Sequence, residues 1–331
     1  MVLVENELRC IGNMSKHECD VQYELRLKGL STPAGTISAR VLMDVLRRMI
    51  ECTERGLRLA VEGMSVKRGR LPKWLGESLN LRVTGLGRGS TVLKIEAPLL
   101  GETVGDRISQ QEIWYTPPSP NDTALTLLSR SVHDTTAENL ESEYYDGGVL
   151  SGLLALKPIL KTEATSIELS AKARRNENFM LDLAGMEKVE RLKKRTPEPR
   201  AFIVSGHLNS IEHHRKRFQL VLSDGQVMPG RVDAEFMDAE AMRQFWGRKV
   251  TIKGTAYFRP SGKIQLLESH LIKFMESGDE IFEAMPQEQT EAEFVRTVAQ
   301  TSERRGWLKN IWGKWPGDES VEDLLAALHQ T

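Results

Sequence analysis

Two stretches of the 331-residue chain gather side chains suited to recognising other molecules. The first is Trp307-Leu308-Lys-Asn-Ile311-Trp312-Gly-Lys-Trp315, which holds three of the six tryptophans. A terminal segment frays unless something holds it, and each tryptophan can bury roughly 150–250 Å². Such a segment docks, either on this chain's own core as a closing clasp or in a groove on another protein. Trp307, Leu308, Ile311 and Trp312 lie one helical turn apart. Beyond the corner at Trp315-Pro-Gly, Val321, Leu324, Leu325 and Leu328 form a second apolar stripe, with Ser320 as N-cap and Asp323 three positions on. Amphipathic helices enter grooves with this spacing, and Trp and Arg, here with Arg304 and Arg305 just upstream, are enriched where binding energy concentrates. From Glu276 onward twelve acids face five bases, which leaves about +6 on the rest of a chain whose net charge is −1. This polar, acidic connector favours a tethered arm over a clasp.

The second stretch is His213-His214-Arg215-Lys216-Arg217. Phosphates need cations and unpaired bases need aromatic faces. Arg231, Lys253, Tyr257, Phe258, Arg259 and Lys263 follow in the same region and could supply both. The alternative is a solvated basic loop with the aromatics turned inward. Adjacent histidines do not converge on a metal without further ligands, so no metal is expected at His213 and His214. Gly85-Leu-Gly87-Arg-Gly89-Ser-Thr looks like a phosphate loop, but such a loop must open a helix. Alternating β-branched residues follow, so the glycines are expected to serve a hairpin. Arg191-Leu-Lys-Lys-Arg195 suits a helix C-terminus, whose dipole attracts cations. Glu141, Glu143 and Asp146 around Tyr144-Tyr145 read as a loop.

No nucleophile elbow, His-Glu-x-x-His, paired-cysteine or Walker pattern occurs, and a non-enzymatic chain without cofactor is expected. Cys10, Cys19 and Cys52 are odd in number and lack metal-ligand spacing. No secretory leader is expected, since the first apolar run is broken at Glu5, and no apolar run reaches the roughly twenty residues a membrane span needs. A reduced, cytoplasmic protein is expected.

The elements that must position these residues are an α+β unit, a barrel and a tail. Val21-Gln-Tyr-Glu-Leu-Arg-Leu alternates as a strand. Ile37, Val41, Leu42, Val45, Leu46, Met49 and Ile50 recur at helical spacing, with Thr36 as cap and Gly56 as stop. The sequence then predicts a strand over 57–61, a hairpin over 79–97, helices over 124–132 and 148–156, a strand over 167–173 and a helix over 179–194. Between Arg200 and Met275 the pattern is three strands, a short helix at 239–246 and two strands, at 249–258 and 264–267. That is the order of an OB-fold barrel. Gly206, Gly230 and Gly254 fall within its strands, where such barrels bend sharply, and Pro229 suits an edge or bulge. The domain reading is an N-terminal α+β domain over 1–120, a helical connecting region over 121–199, an OB-fold-like barrel over 200–275, and an acidic linker with a helical, partner-binding tail over 276–331.

Trp315-Pro-Gly-Asp-Glu-Ser-Val-Glu-Asp-Leu-Leu-Ala-Ala-Leu328 resembles the C-terminal toxin-binding segments of bacterial antitoxins paired with PIN-domain ribonucleases. The body is similar to larger bacterial proteins encoded beside such toxins, through Leu25-Arg-Leu-Lys-Gly29, Pro72-Lys-Trp-Leu75 and Gly89-Ser-Thr-Val-Leu-Lys-Ile-Glu-Ala-Pro98. The resemblance implies neutralisation: the tail wraps the toxin and blocks its metal-dependent cleft, with Arg304, Arg305, Lys309 or Lys314 facing the toxin's acidic metal-binding residues. One departure is the N-terminus, where small antitoxins carry a DNA-binding ribbon or helix-turn-helix and this chain carries a large α+β body. The expected function is thus antitoxin-like binding of a PIN-type ribonuclease. The alternative is single-stranded nucleic-acid binding by the barrel.

Overall fold

The structure is a computed structural model. It describes residues 20–283 except 34, 35, 68, 88–90, 106, 107, 109–116, 172, 173, 213–216 and 233–238. The helical tail expected at the C-terminus lies outside the described residues.

The alternation at the start forms β1 (Val21–Lys28), in which Tyr23, Leu25 and Leu27 are buried. The expected hairpin is β2 (Arg82–Gly87) with β3 (Thr91–Ala97), and β4 (Ser166–Ala171) and β5 (Phe179–Asp182) follow later. Together they make an antiparallel sheet in the order β2-β3-β1-β4-β5. Because β4 pairs with β1 from Tyr23↔Ala171 to Lys28↔Ser166, the stretch 121–199 is not a separate helical connector. It completes the sheet that residues 21–97 begin.

The helices of this unit are α1 (Ala39–Glu62), α2 (Lys73–Ser78), α3 (Leu100–Thr103), α4 (Ala124–Thr136), α5 (Gly147–Leu154), α6 (Lys157–Thr162) and α7 (Leu183–Arg195). Val45, Met49, Leu128, Val149, Leu153, Met186 and Val189 pack from the helices onto Leu25, Leu93, Ile95, Ile167 and Leu169 of the sheet. Full burial of each such side chain stabilises by about 1.5–3 kcal/mol. The sheet's other face carries charge, with Lys28 2.6 Å from Glu168 and Arg82 3.9 Å from Glu96. An antiparallel sheet tolerates this division of faces.

The long first helix departs from expectation. It does not stop at Gly56 but runs through 57–61, where a strand was predicted. Leu57 and Val61 enter a second cluster with Trp74, Leu75, Leu100 and Leu127, whereas Leu59 faces the main core. Because the last turns of this helix are buried on two sides, Leu57, Leu59 and Val61 all turn inward, and Leu57-Arg-Leu-Ala-Val61 thereby imitates strand alternation. Gly63 ends the helix in the left-handed region at φ +80°, its N–H donating to the Leu59 carbonyl at 2.8 Å, as glycine caps do. The N-cap position is Ser38, not Thr36, whose hydroxyl donates to the Pro33 carbonyl at 2.7 Å. Likewise the helix expected from Phe179 starts at Leu183. Phe179 and Leu181 are buried strand residues, and Asp182 caps α7 by accepting the Gly185 N–H at 2.8 Å.

The second half of the chain forms β6 (Arg200–Glu212), β7 (Arg217–Val221), β8 (Val227–Val232), the short helix α8 (Ala239–Met242), β9 (Lys249–Phe258) and β10 (Ile264–Phe274). The strands close as β10-β8-β7-β6-β9, with β9 antiparallel to β10 and β8 parallel to β10. This is the expected OB-fold-like barrel. Val204, Leu208, Phe218, Leu220, Met228, Val250, Ile252 and Leu267 are buried. Pro229 sits in β8 one residue before the pairing with β10 begins at Gly230, where its missing N–H leaves no ladder bond unmade. A Cβ on Gly230 would lie 2.1 Å from the Phe218 ring, and one on Gly254 2.1 Å from the Glu268 carbonyl oxygen.

The Gly254 contact is with backbone of the neighbouring strand, so no side chain can yield. Gly254→Ala is expected to destabilise the protein by about 1–3 kcal/mol, the usual cost of overpacking, seen as a lower urea midpoint. An unchanged midpoint would show that β9 and β10 do not approach this closely.

Candidate functional site

His213, His214, Arg215 and Lys216 lie outside the described residues, as do Arg304, Arg305, Trp307, Leu308, Ile311, Trp312, Trp315, Val321, Leu324, Leu325 and Leu328. Of the remaining candidates, the structure brings Arg217, Arg231, Tyr257 and Arg259 to the side of the barrel that meets the α+β unit.

Arg217 opens β7 and donates from Nη2 to the Val61 carbonyl at 2.8 Å. Val61 belongs to the last turn of α1, whose carbonyls have no amide of their own helix to accept from. A guanidinium there also complements the negative end of the helix dipole, worth about 0.3–1 kcal/mol when exposed and ~2 when partly buried. Arg231 is the register partner of Arg217 on β8 and donates to Met64 Sδ at 3.3 Å. Arg259, just after β9, donates to the Glu141 carbonyl at 2.7 Å and lies 3.8 and 3.9 Å from the Glu141 and Glu143 carboxylates. Lys263 pairs with Glu141 at 3.1 Å. The acidic loop that looked unremarkable in sequence is thus the electrostatic counterpart of the barrel's basic edge. A cavity of about 100 Å³ remains at this junction, lined in part by Leu59, Gly63, Phe218, Pro229 and Leu266.

Beside it opens a larger cleft of about 900 Å³. One wall is Met64–Lys67, the start of α5 and the 193–199 stretch. The other is Arg231, Thr255, Tyr257, Phe258, Glu268 and His270 of the barrel. Asp146 fixes the first wall. Its Oδ1 accepts the Gly148 and Val149 N–H groups at 3.0 and 2.9 Å, and its Oδ2 accepts the Ser65 N–H at 3.1 Å. One carboxylate therefore caps α5 and anchors the chain leaving α1. In the other wall the Tyr257 hydroxyl donates to Glu268 Oε2 at 3.1 Å, and His270 Nε2 lies 3.0 Å from Thr255 Oγ1. Burial, then the Glu268 charge, pushes Tyr257 up to about 12. The Ser65 hydroxyl is buried with no hydrogen-bond partner, an arrangement that costs about 1–3 kcal/mol.

Two candidates separate from this group. Phe258 is buried, with the Arg200 guanidinium 5.1 Å from its ring. Lys253 is exposed on the wall formed by β6, β9 and β10, with Ile203 and Leu271 as its cross-strand neighbours. Sequence reasoning missed Asp146 and Ser65 as site-forming residues. The signal for Asp146 was present, since an Asp before Gly-Gly and an apolar run is a helix-start pattern. Ser65 carried none.

Among the described residues no group of three or more His, Cys, Asp or Glu is placed to hold a metal, and no helix is long and apolar enough to cross a membrane. The chain matches no protein-family model, and neither a curated protein nor a solved structure matches it.

Two predictions follow from the junction. Arg217→Ala combined with Arg259→Ala is expected to lower the urea midpoint by uncoupling the barrel from the α+β unit, with faster cleavage by protease around 196–200; unaltered stability and cleavage would make these contacts incidental. The second concerns alkaline pH. Tyr257 and Tyr145 are both raised from 10.0 to about 12, chiefly by burial. The folded state therefore holds these protons more tightly, so the stabilisation is complete below pH 10 and disappears as pH climbs toward 12. Urea midpoints across that range should fall, and fall less in Tyr257→Phe.

Proposed function

We propose that this chain is a non-enzymatic, antitoxin-like protein that neutralises a PIN-type ribonuclease through residues 304–328. The observation that carries the reading is the segment Trp315-Pro-Gly-Asp-Glu-Ser-Val-Glu-Asp-Leu-Leu-Ala-Ala-Leu328, with Trp307 and Trp312 before it. Trp312 and Leu325 are the apolar anchors. Arg304, Arg305, Lys309 or Lys314 supplies a cation toward the toxin's acidic metal-binding residues, where opposite charge in a desolvated cleft gains most. The partner is a cytoplasmic protein, and no membrane is involved.

The rival reading, single-stranded nucleic acid on the barrel, is the weaker one. Arg217 and Arg259 are engaged within the chain, and cations so placed are not offered to phosphates. His213, His214, Arg215, Lys216, Arg231, Lys253 and Tyr257 are what that reading retains.

The test is inhibition of a co-encoded PIN-type ribonuclease by the full chain. Trp312→Ala with Leu325→Ala is expected to weaken inhibition by about 2–4 kcal/mol, as hot-spot truncations do, while Lys253→Gln changes nothing. Full inhibition by the double variant would remove the tail from the mechanism. Salt-sensitive binding of a labelled single strand that Lys253→Gln weakens would favour the barrel instead.

A further inference from the structure

The cleft of about 900 Å³ between the α+β unit and the barrel is of the size that encloses a small organic ligand. Its formal charges nearly cancel, but its hydrogen-bonding groups do not. Asp146 is taken up by three backbone N–H groups, Glu198 by Lys193 at 3.0 Å, and Glu268 by the Tyr257 hydroxyl. Lys67 has no ion-pair partner among the described residues, and Arg231, although it neighbours Glu268 in register, donates only to the Met64 sulfur. That contact brings the guanidinium to the segment Met64–Lys67. The Ser65 hydroxyl, 3% exposed and without a partner, lines the same cleft. A Cβ on Gly148 would fall 2.1 Å from Ser65 Oγ, so this hydroxyl lies against the first turn of α5, whose N–H groups Asp146 already caps. Two uncommitted cations and an unused donor share one requirement, a compact anion with several acceptor oxygens. Tyr257 in the opposite wall offers apolar surface to whatever the anion is attached to.

We propose that this cleft binds a small phosphate-bearing ligand, with the phosphate held by Arg231, Lys67 and the Ser65 hydroxyl. The site uses none of residues 304–328 and needs no partner protein for its test. The full chain is titrated calorimetrically with inorganic phosphate, adenosine monophosphate and adenosine. Both phosphate compounds should bind saturably, and adenosine should not. Lys67→Gln and Arg231→Gln should each weaken binding about tenfold, the loss of one charge-assisted hydrogen bond. Lys67 is exposed, so its replacement leaves folding intact even if Arg231→Gln does not. Lys249→Gln, outside the cleft, should have no effect. Absence of saturable binding, binding indifferent to Lys67→Gln, or adenosine binding as tightly as its monophosphate would each overturn the proposal. A 5′-phosphorylated single strand binding far more tightly than the mononucleotide would also overturn it, in favour of a strand-binding barrel.

Discussion

The last turn of α1 ends in carbonyls that no amide of the helix can reach, and the barrel supplies a donor. Gly63 turns the chain back in the left-handed region, which leaves the Val61 carbonyl facing outward to meet Arg217. An unpaired carbonyl at a buried helix end is costly, so the contact fixes where β7 must lie relative to α1. The rest of the junction follows from that placement. Arg231, beside Arg217 in register, arrives at Met64. The turn after β9 arrives at the acidic loop, where Arg259 and Lys263 meet Glu141 and Glu143. No single contact here exceeds a few kcal/mol, but they share one geometry and are lost together.

This arrangement redirects a surface that OB-fold barrels commonly turn toward nucleic acid. The same residue types that suit phosphates also suit helix ends and carboxylates, because all three present oxygen acceptors. Arg217 and Arg259 are spent on the chain's own acceptors, and what remains at the seam is a cleft with Arg231 and Lys67 in its lining. Asp146 makes the cleft's first wall stiff, since one side chain holds both the start of α5 and the segment leaving α1. A wall so held, with the unpartnered Ser65 hydroxyl in it, suits the compact ligand proposed above.

Most of the barrel could be read directly. The strand at 249–258 was found with its full length because its residues alternate without interruption. Its neighbour β10 was expected to end at Leu267 yet reaches Phe274. The register shifts between Ser269 and Leu271, and a bulge breaks the alternation on which the reading depends. The strand misread at 57–61 and the helix misread at 179 fail for a related reason: local pattern reports which faces are buried, and two-sided burial or a four-residue strand leaves too little pattern. At the junction, Arg217 and Arg259 were singled out by type, but their roles depend on Val61 and Glu141, far away in the sequence. No spacing rule connects such pairs. Only the closure of the barrel and the ending of α1 at Gly63 place them together.

The proposed division of labour between body and tail follows from the same economy of groups. Ordering a segment costs about 1–2 kcal/mol of backbone entropy per residue, which a few surface ion pairs at ~0–1 kcal/mol each cannot offset. A segment that must fold onto another protein needs apolar area instead. A tryptophan burying roughly 150–250 Å² contributes roughly 4–6 kcal/mol at about 25 cal/mol per Å². Three of the six tryptophans between 307 and 315, with a leucine stripe after them, are what the proposed tail would require. On the proposed reading the acids of residues 276–331 would add little affinity and would serve to keep an apolar-rich segment hydrated.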